Sequence, residues 1–245
     1  MGSGTDNIED HIEEMKQERE RKMAQPVQTV PLEPQIKVEL VDACCTDLAT
    51  VNAARVSFHK ESKDVSSDDE RLIKYLAKHK HMTPFRHNFI KIRVKAPIFL
   101  AAQLKKHQAG LSWIEVNRRY VDTPPEFYVP FVWRKRPDGS VKQGSVGVID
   151  NLEATNWHYS RFLSSVVDTY HGLLANDVAP EMARMVLPQS MMTEWVWSGN
   201  LLAFAHVYRE RIASGAQLEA QLFAQELDKI IRPLAPISWG ALKII

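Results

Sequence analysis

The chain has only two cysteines in 245 residues, and they are neighbours, Cys44 and Cys45. Disulfide geometry resists so short a loop, and no paired Cys-x-x-Cys is present to build a zinc site. A reduced, intracellular setting, the cytoplasm, is therefore expected. No apolar run approaches the ~20 residues needed to span a bilayer, so no membrane partner is expected. The opening stretch, MGSGTDNIEDHIEEMKQERERKM, is too polar and charged for a secretory signal. Net charge is only +1, so no broad basic field argues for nucleic acid, and any anion site must be local. Neither GxGxxG nor Walker A stands in the sequence, which removes support for a Rossmann nucleotide site or a P-loop ATPase.

What remains is ordinary globular material. Hydrophobic residues make up 44% and charged residues 25%, enough to bury a sizeable core. Residues 1–35 read as a charged extension and linker: weakly amphipathic over 7–24, then Pro26, Pro31 and Pro34. The folded unit is expected over 36–245. IKVELV at 36–41 reads as a strand, and 47–55 as a helix. Ser67 and Glu70 have capping-box spacing ahead of Leu72, Ile73 and Leu76. From Asn88 to Lys95, Ile90, Ile92 and Val94 alternate with Phe89, Lys91, Arg93 and Lys95, which predicts a strand with one apolar face. Pro97 suits the first turn of a helix running to about His107. A loop is expected at 134–146, and helices at 152–174, 179–187, 199–213 and 216–231. The fold class that follows is α+β, a mixed sheet packed with several helices.

Three polar clusters stand out. KHQAGLSWIEVNRRY at 106–120 places Lys106 and His107 at the end of the expected helix, with Gln103 one turn earlier, and then brings Arg118 and Arg119. Arginine forks suit phosphate, though a solvated helix end with an ordinary charged loop is an equally simple reading. In 183–219, Leu201, Phe204, Ala205, Tyr208 and Ile212 form a core stripe. Asn200, Val207 and Arg211 fall on a more polar one, where an arginine is ordinarily a surface charge. Arg184, among apolar neighbours, must snorkel or meet an anion. HKHMTPFRHN at 79–88 holds His79, His81 and His87, but a Thr-Pro turn interrupts them and no HExxH spacing is present, so no metal is expected.

Together these segments resemble the flavin-dependent thymidylate synthase family. The resemblance runs from about Ile36 to Ile231. It rests on VNAARVSF (51–58), HMTPFRH (81–87), KAPIFLAAQLKKH (95–107), EVNRRYVDTPPEFYVP (115–130), ARMVLPQ (183–189) and RIASGAQLE (211–219), in that order. The KQGS run at 142–145 is similar to that of phage members. The family signature, RHRxxSxNxxSxR, reads KHQAGLSWIEVNRR here, with one extra residue before Ser112. Lys106, His107 and Gln108 stand at Arg-His-Arg, Ile114 at Asn, and Asn117 at the second Ser. Leu202 and Gly215 stand where many members have Arg and His.

The resemblance implies a homotetramer with active sites shared between subunits, making dTMP from dUMP with FAD, 5,10-methylenetetrahydrofolate and NADPH. It implies FAD contacts from Ser57, His81, Thr83, Lys106, His107, Gln108, Asn200 and His206. It implies dUMP contacts from Gln103, Glu115, Val116, Asn117, Arg118, Arg119, Arg184 and Arg211. Arg211 is the catalytic candidate, because a cation at the N3–O4 edge of uracil stabilises charge developing on the ring. No cysteine nucleophile is required, unlike in the other thymidylate synthase class. Ile114 and Asn117 leave a hydroxymethylase of the same fold as an alternative. Leu202 and Gly215 leave a non-catalytic nucleotide-binding relative.

Overall fold

The computed structural model describes residues 35–121, 123–137, 139 and 144–244. Of the extension and linker expected at 1–35, residues 1–34 lie outside these residues, as do Lys142 and Gln143 of the KQGS run.

Alternation builds the centre of the molecule. Strand β2 (Phe89–Pro97) buries Ile90, Ile92, Val94 and Ala96 and turns Phe89, Lys91, Arg93 and Lys95 to the opposite face. It pairs with β1 (Lys37–Cys44) on one side and β6 (Met192–Asn200) on the other. In β6 the buried positions are Thr193, Trp195, Trp197 and Gly199. β3 (Leu111–Glu115) pairs with the far side of β6, giving the order β1-β2-β6-β3, and every pairing is antiparallel. A short hairpin of β4 (Arg134–Lys135) and β5 (Val146–Val148) stands apart from this sheet.

Helices supply the second layer, as the α+β class requires. The helices are α1 (Asp47–Arg55), α2 (Ser67–Lys78), α3 (Ile98–Leu104), α4 (Leu152–Ala175), α5 (Pro180–Ala183), α6 (Leu201–Ile212), α7 (Leu218–Ile231) and α8 (Pro236–Leu242). Val51, Ile73, Leu100, Phe204, Phe223 and Trp239 join the apolar face of the sheet in one core cluster. Full burial of each such side chain is worth about 1.5–3 kcal/mol. The other sheet face is half-open and carries cross-strand ion pairs, Arg93–Glu194 at 3.4 Å and Lys91–Asp42 at 4.0 Å.

A buried amide pins these layers together. Asn88 Oδ1 accepts from the Thr46 N–H at 2.8 Å, and its Nδ2 donates to Thr50 Oγ1 at 2.8 Å. Its backbone carbonyl accepts from Leu201 N at 3.1 Å, so α6 starts from the same residue. Ser238 Oγ donates to Thr50 Oγ1 at 3.0 Å, and Asp47 accepts the Ser238 and Ile237 N–H groups at 2.7 and 3.0 Å, satisfying the first turn of α8.

Several expectations need correction. The capping box belongs to Ser66 and Asp69, one residue before the pair read from the sequence. Pro97 ends β2 and flanks α3 instead of entering its first turn, and α3 stops at Leu104 instead of His107. The chain must reverse there to pair β3 with β6, and Gly110 makes that turn at φ +75°. Helix 179–187 is only α5 followed by a 3-10 turn at Arg184–Val186. Residues 199 and 200 belong to β6, and Val207, assigned to a polar stripe, is fully buried. The loop expected at 134–146 instead begins in β4 and runs into β5 at Val146, because Arg134 and Lys135 pair with Val148 and Val146; strands β3 and β6 and helix α8 have no counterpart in the sequence reading.

Asn88→Ala strips the Thr46 N–H of its acceptor and the buried Thr50 hydroxyl of a donor. We expect it to lower the unfolding free energy by about 1–3 kcal/mol, read from denaturant melts; an unchanged midpoint would remove Asn88 from its structural role.

Candidate active site

Two glycines let the turn after α3 lie against the end of β6. A Cβ on Gly199 would stand 2.3 Å from the Gly110 carbonyl oxygen, and a Cβ on Gly110 would stand 2.6 Å from Asn200 Nδ2. Asn200 N donates to the Gly110 carbonyl at 3.3 Å. Asn200 then caps α6, its Oδ1 accepting from Ala203 N at 2.9 Å.

This close approach carries His107 to the last turn of α6. Arg211 Nε and Nη2 lie 3.0 and 2.9 Å from His107 Nε2. A guanidinium can only donate, so His107 must be neutral there, with its proton on Nδ1. Burial lowers the His107 pKa to about 4, and the Arg211 and His206 charges push the same way, against Glu210. The His206 ring stands edge-on to His107 at 5.7 Å. Gln103, on α3, donates from Nε2 to Gln217 Oε1 at 2.5 Å. Gln103 and His107 do not share a helical face, since α3 ends between them. Arg211 thus sits beside a neutral ring, and among the described residues no ion pair joins it to a carboxylate.

A second group forms where β3 ends. Asn117 Oδ1 accepts from Arg119 N at 3.0 Å and from Arg184 Nη1 at 3.1 Å. One amide therefore ties together two residues expected to contact dUMP. Arg118 is engaged elsewhere, donating to the Thr123 carbonyl at 2.6 Å and lying 6.0 Å over the Tyr170 ring. Glu115 is fixed by Thr193 Oγ1 at 3.0 Å and Trp113 Nε1 at 3.2 Å, with Lys105 at 3.5 Å. Val116 extends the ladder, donating to the Glu194 carbonyl at 2.8 Å. Among the described residues no hydrogen bond or ion pair links this group to the Arg211–His107 pair.

The candidates for flavin contact are mostly open. Ser57 lies in the exposed 3-10 turn after α1, and Thr83 begins the 3-10 turn Thr83–His87 that leads into Asn88. His81 is exposed and stacks on Tyr75 at 6.3 Å. Lys106, Gln108 and His206 are exposed as well. These hydroxyl, amide, ammonium and imidazole groups suit the phosphates and ring edges of a dinucleotide such as FAD. Sequence reasoning missed Thr193, which orients Glu115, and also Gln217 and Glu219. The last two stand inside the RIASGAQLE segment, yet nothing in its spacing marks them as partners of Gln103.

The family described as thymidylate synthase complementing protein matches residues 39–237. A flavin-dependent thymidylate synthase from Thermus thermophilus is 37% identical over 213 residues, 87% of this chain and 77% of that protein. One from Thermotoga neapolitana is 37% identical over 204 residues, 83% of this chain and 89% of that one. The crystal structure of the UMP/dUMP methylase PolB from Streptomyces cacaoi, bound with 5-Br dUMP, superposes with a TM-score of 0.76 at 30% identity, covering 84% of this chain and 94% of its own. The chain belongs to the flavin-dependent thymidylate synthase family. Among the described residues no helix is long and apolar enough to cross a membrane.

Because the folded state holds His107 neutral, its contribution to stability is whole above the ordinary value of 6.5 and is lost as pH falls through about 4. In an NMR titration of the flavin-free protein His107 should titrate near 4. Arg211→Leu should raise that midpoint only part of the way to 6.5, since burial is the larger cause. A wild-type midpoint at 6.5 would mean a solvated ring and no Arg211 contact.

Proposed function

We propose that the protein converts dUMP to dTMP by reductive methylation, with 5,10-methylenetetrahydrofolate as carbon donor and NADPH as reductant, in a homotetramer whose active sites are shared between subunits. The catalytic unit is residues 36–245, with 1–35 an extension ahead of it. The two unpaired cysteines fit the reducing cytoplasm.

The observation that carries this reading is the Arg211–His107 pair. A neutral imidazole accepts from Arg211 without competing for an anion. It aims a full positive charge at the site where negative charge grows on the uracil N3–O4 edge, and that raises the nucleophilicity of C5. Arg119 and Arg184, linked by Asn117, grip the phosphate and fix the ring's orientation. Glu115, held by Thr193 and Trp113, and Val116 line the same nucleotide site, with Arg118 supporting the loop. Ser57, His81, Thr83, Lys106, His107, Gln108, Asn200 and His206 would hold FAD, which, reduced by NADPH, would supply the hydride. Cys45 is buried with its pKa pushed up to about 12, first by burial and then by Asp47, so it cannot act as a thiolate nucleophile.

The shared-site reading draws support from apolar side chains left open beside the charged ones. Ile114 and Tyr120 are 79% and 80% exposed next to the phosphate group of residues, and Phe58 is 75% exposed next to Ser57. Exposed apolar surface around a polar site fits a partner subunit.

Incubation with dUMP, methylenetetrahydrofolate, FAD and NADPH should yield a product heavier by a methyl substituent; a hydroxymethyl mass would redirect the assignment. Arg211→Ala should cost about 10²–10³ in kcat with little change in thermal midpoint, and near-wild-type turnover would remove Arg211 from the chemistry. The purified protein should be yellow and bleach with NADPH, and a colourless protein inactive with added FAD would count against flavin.

A further inference from the structure

Glu219 is only 3% exposed, yet no step above uses it. Its Oε1 accepts from the Tyr128 hydroxyl at 3.2 Å. Its Oε2 accepts from Arg134 Nη2 at 2.9 Å and from Gln217 Nε2 at 2.8 Å. Burial opposes its charge, but hydrogen bonds led by that from Arg134 outweigh it and hold the carboxyl below its usual range. The group is therefore a buried anion with several donors converging on it, and such a group fixes the orientation of whatever touches it.

The consequence runs outward along a chain of amides. A carboxylate only accepts, so Gln217 must point its Nε2 at Glu219 and its Oε1 away. That Oε1 meets Gln103 Nε2 at 2.5 Å. Gln103 must then spend one N–H on Gln217, keeping its carbonyl and second N–H for the nucleotide. An amide flip is ambiguous in isolation, but here the ion at the inner end dictates both.

We propose that Glu219 is a positioning residue: through Gln217 it sets the donor–acceptor pattern that Gln103 presents to dUMP. The inference rests on Gln103 being a nucleotide contact. It connects the β4 residue Arg134 and the start of α7 to the binding site, although neither touches the reacting atoms.

Steady-state kinetics of the FAD-loaded full chain test it. Gln217→Met and Glu219→Gln should each raise the KM for dUMP roughly tenfold, the worth of one hydrogen bond, with kcat changed by less than about twofold. In a Gln103→Met background neither should add anything, because both act through Gln103. The proposal is overturned if Gln217→Met leaves KM unchanged while Gln103→Met raises it. It is equally overturned if Glu219→Gln raises KM as much without Gln103 as with it. If Gln103→Met leaves KM unchanged, the nucleotide-contact reading fails and takes this proposal with it. Should Glu219→Gln not fold, Gln217→Met decides the matter alone, since it leaves the Arg134–Glu219 pair in place.

Discussion

The side chain of Asn88 is the point from which the rest of the molecule is hung. It is fully buried, so its amide must be satisfied by the protein, and the partners it finds belong to α1, while its carbonyl receives the first turn of α6. Segments far apart in the chain thereby acquire one origin. His81 and Thr83 lie just before Asn88, and Asn200 lies just before Leu201, which bonds to it. The network continues through Thr50 and Ser238 to Asp47, so α8 closes over the same polar core. A polar centre of this kind is costly when half made and rigid when complete, and here the donors and acceptors match.

Around that fixed centre the charged residues form two groups, and among the described residues no hydrogen bond or ion pair links one group to the other. Arg211 is steered by a neutral ring, and Arg184 by an amide carbonyl. In both cases an uncharged acceptor holds a guanidinium without neutralising it, so the positive charge stays available for an anionic ligand. Glu115 and Glu219 are the opposite case, carboxylates whose donors come from within the chain. The contrast separates guanidinium groups whose charge is left uncompensated by their acceptors from carboxylates held by several donors, and it follows from which atoms already have partners.

Local pattern made much of this legible. The alternation of β2, the extent of α1 and the long α4 were readable because their signals sit within a few residues of each other. The box at Ser66 and Asp69 was displaced by one because Ser67 and Glu70 repeat the same spacing. The early end of α3 was not readable, since it depends on pairing β3 with β6 across about eighty intervening positions, and sequence periodicity does not see such a pairing. The strand at 192–200 alternates through Trp195 and Trp197, but a polar cluster and a strong helix on either side masked it. The site segments were recognisable by resemblance, whereas the Asn117–Arg184 and Gln103–Gln217 contacts, long-range and made by side chains, had no local trace.

The facing glycines at 110 and 199 couple the turn after α3 to the sheet, since there two backbones meet without side chains between them. A side chain at 199 would lift the turn from the sheet and draw His107 away from Arg211. The length of the turn and the absence of a side chain at 199 are therefore coupled: shortening the turn changes the very contact that the glycine at 199 permits.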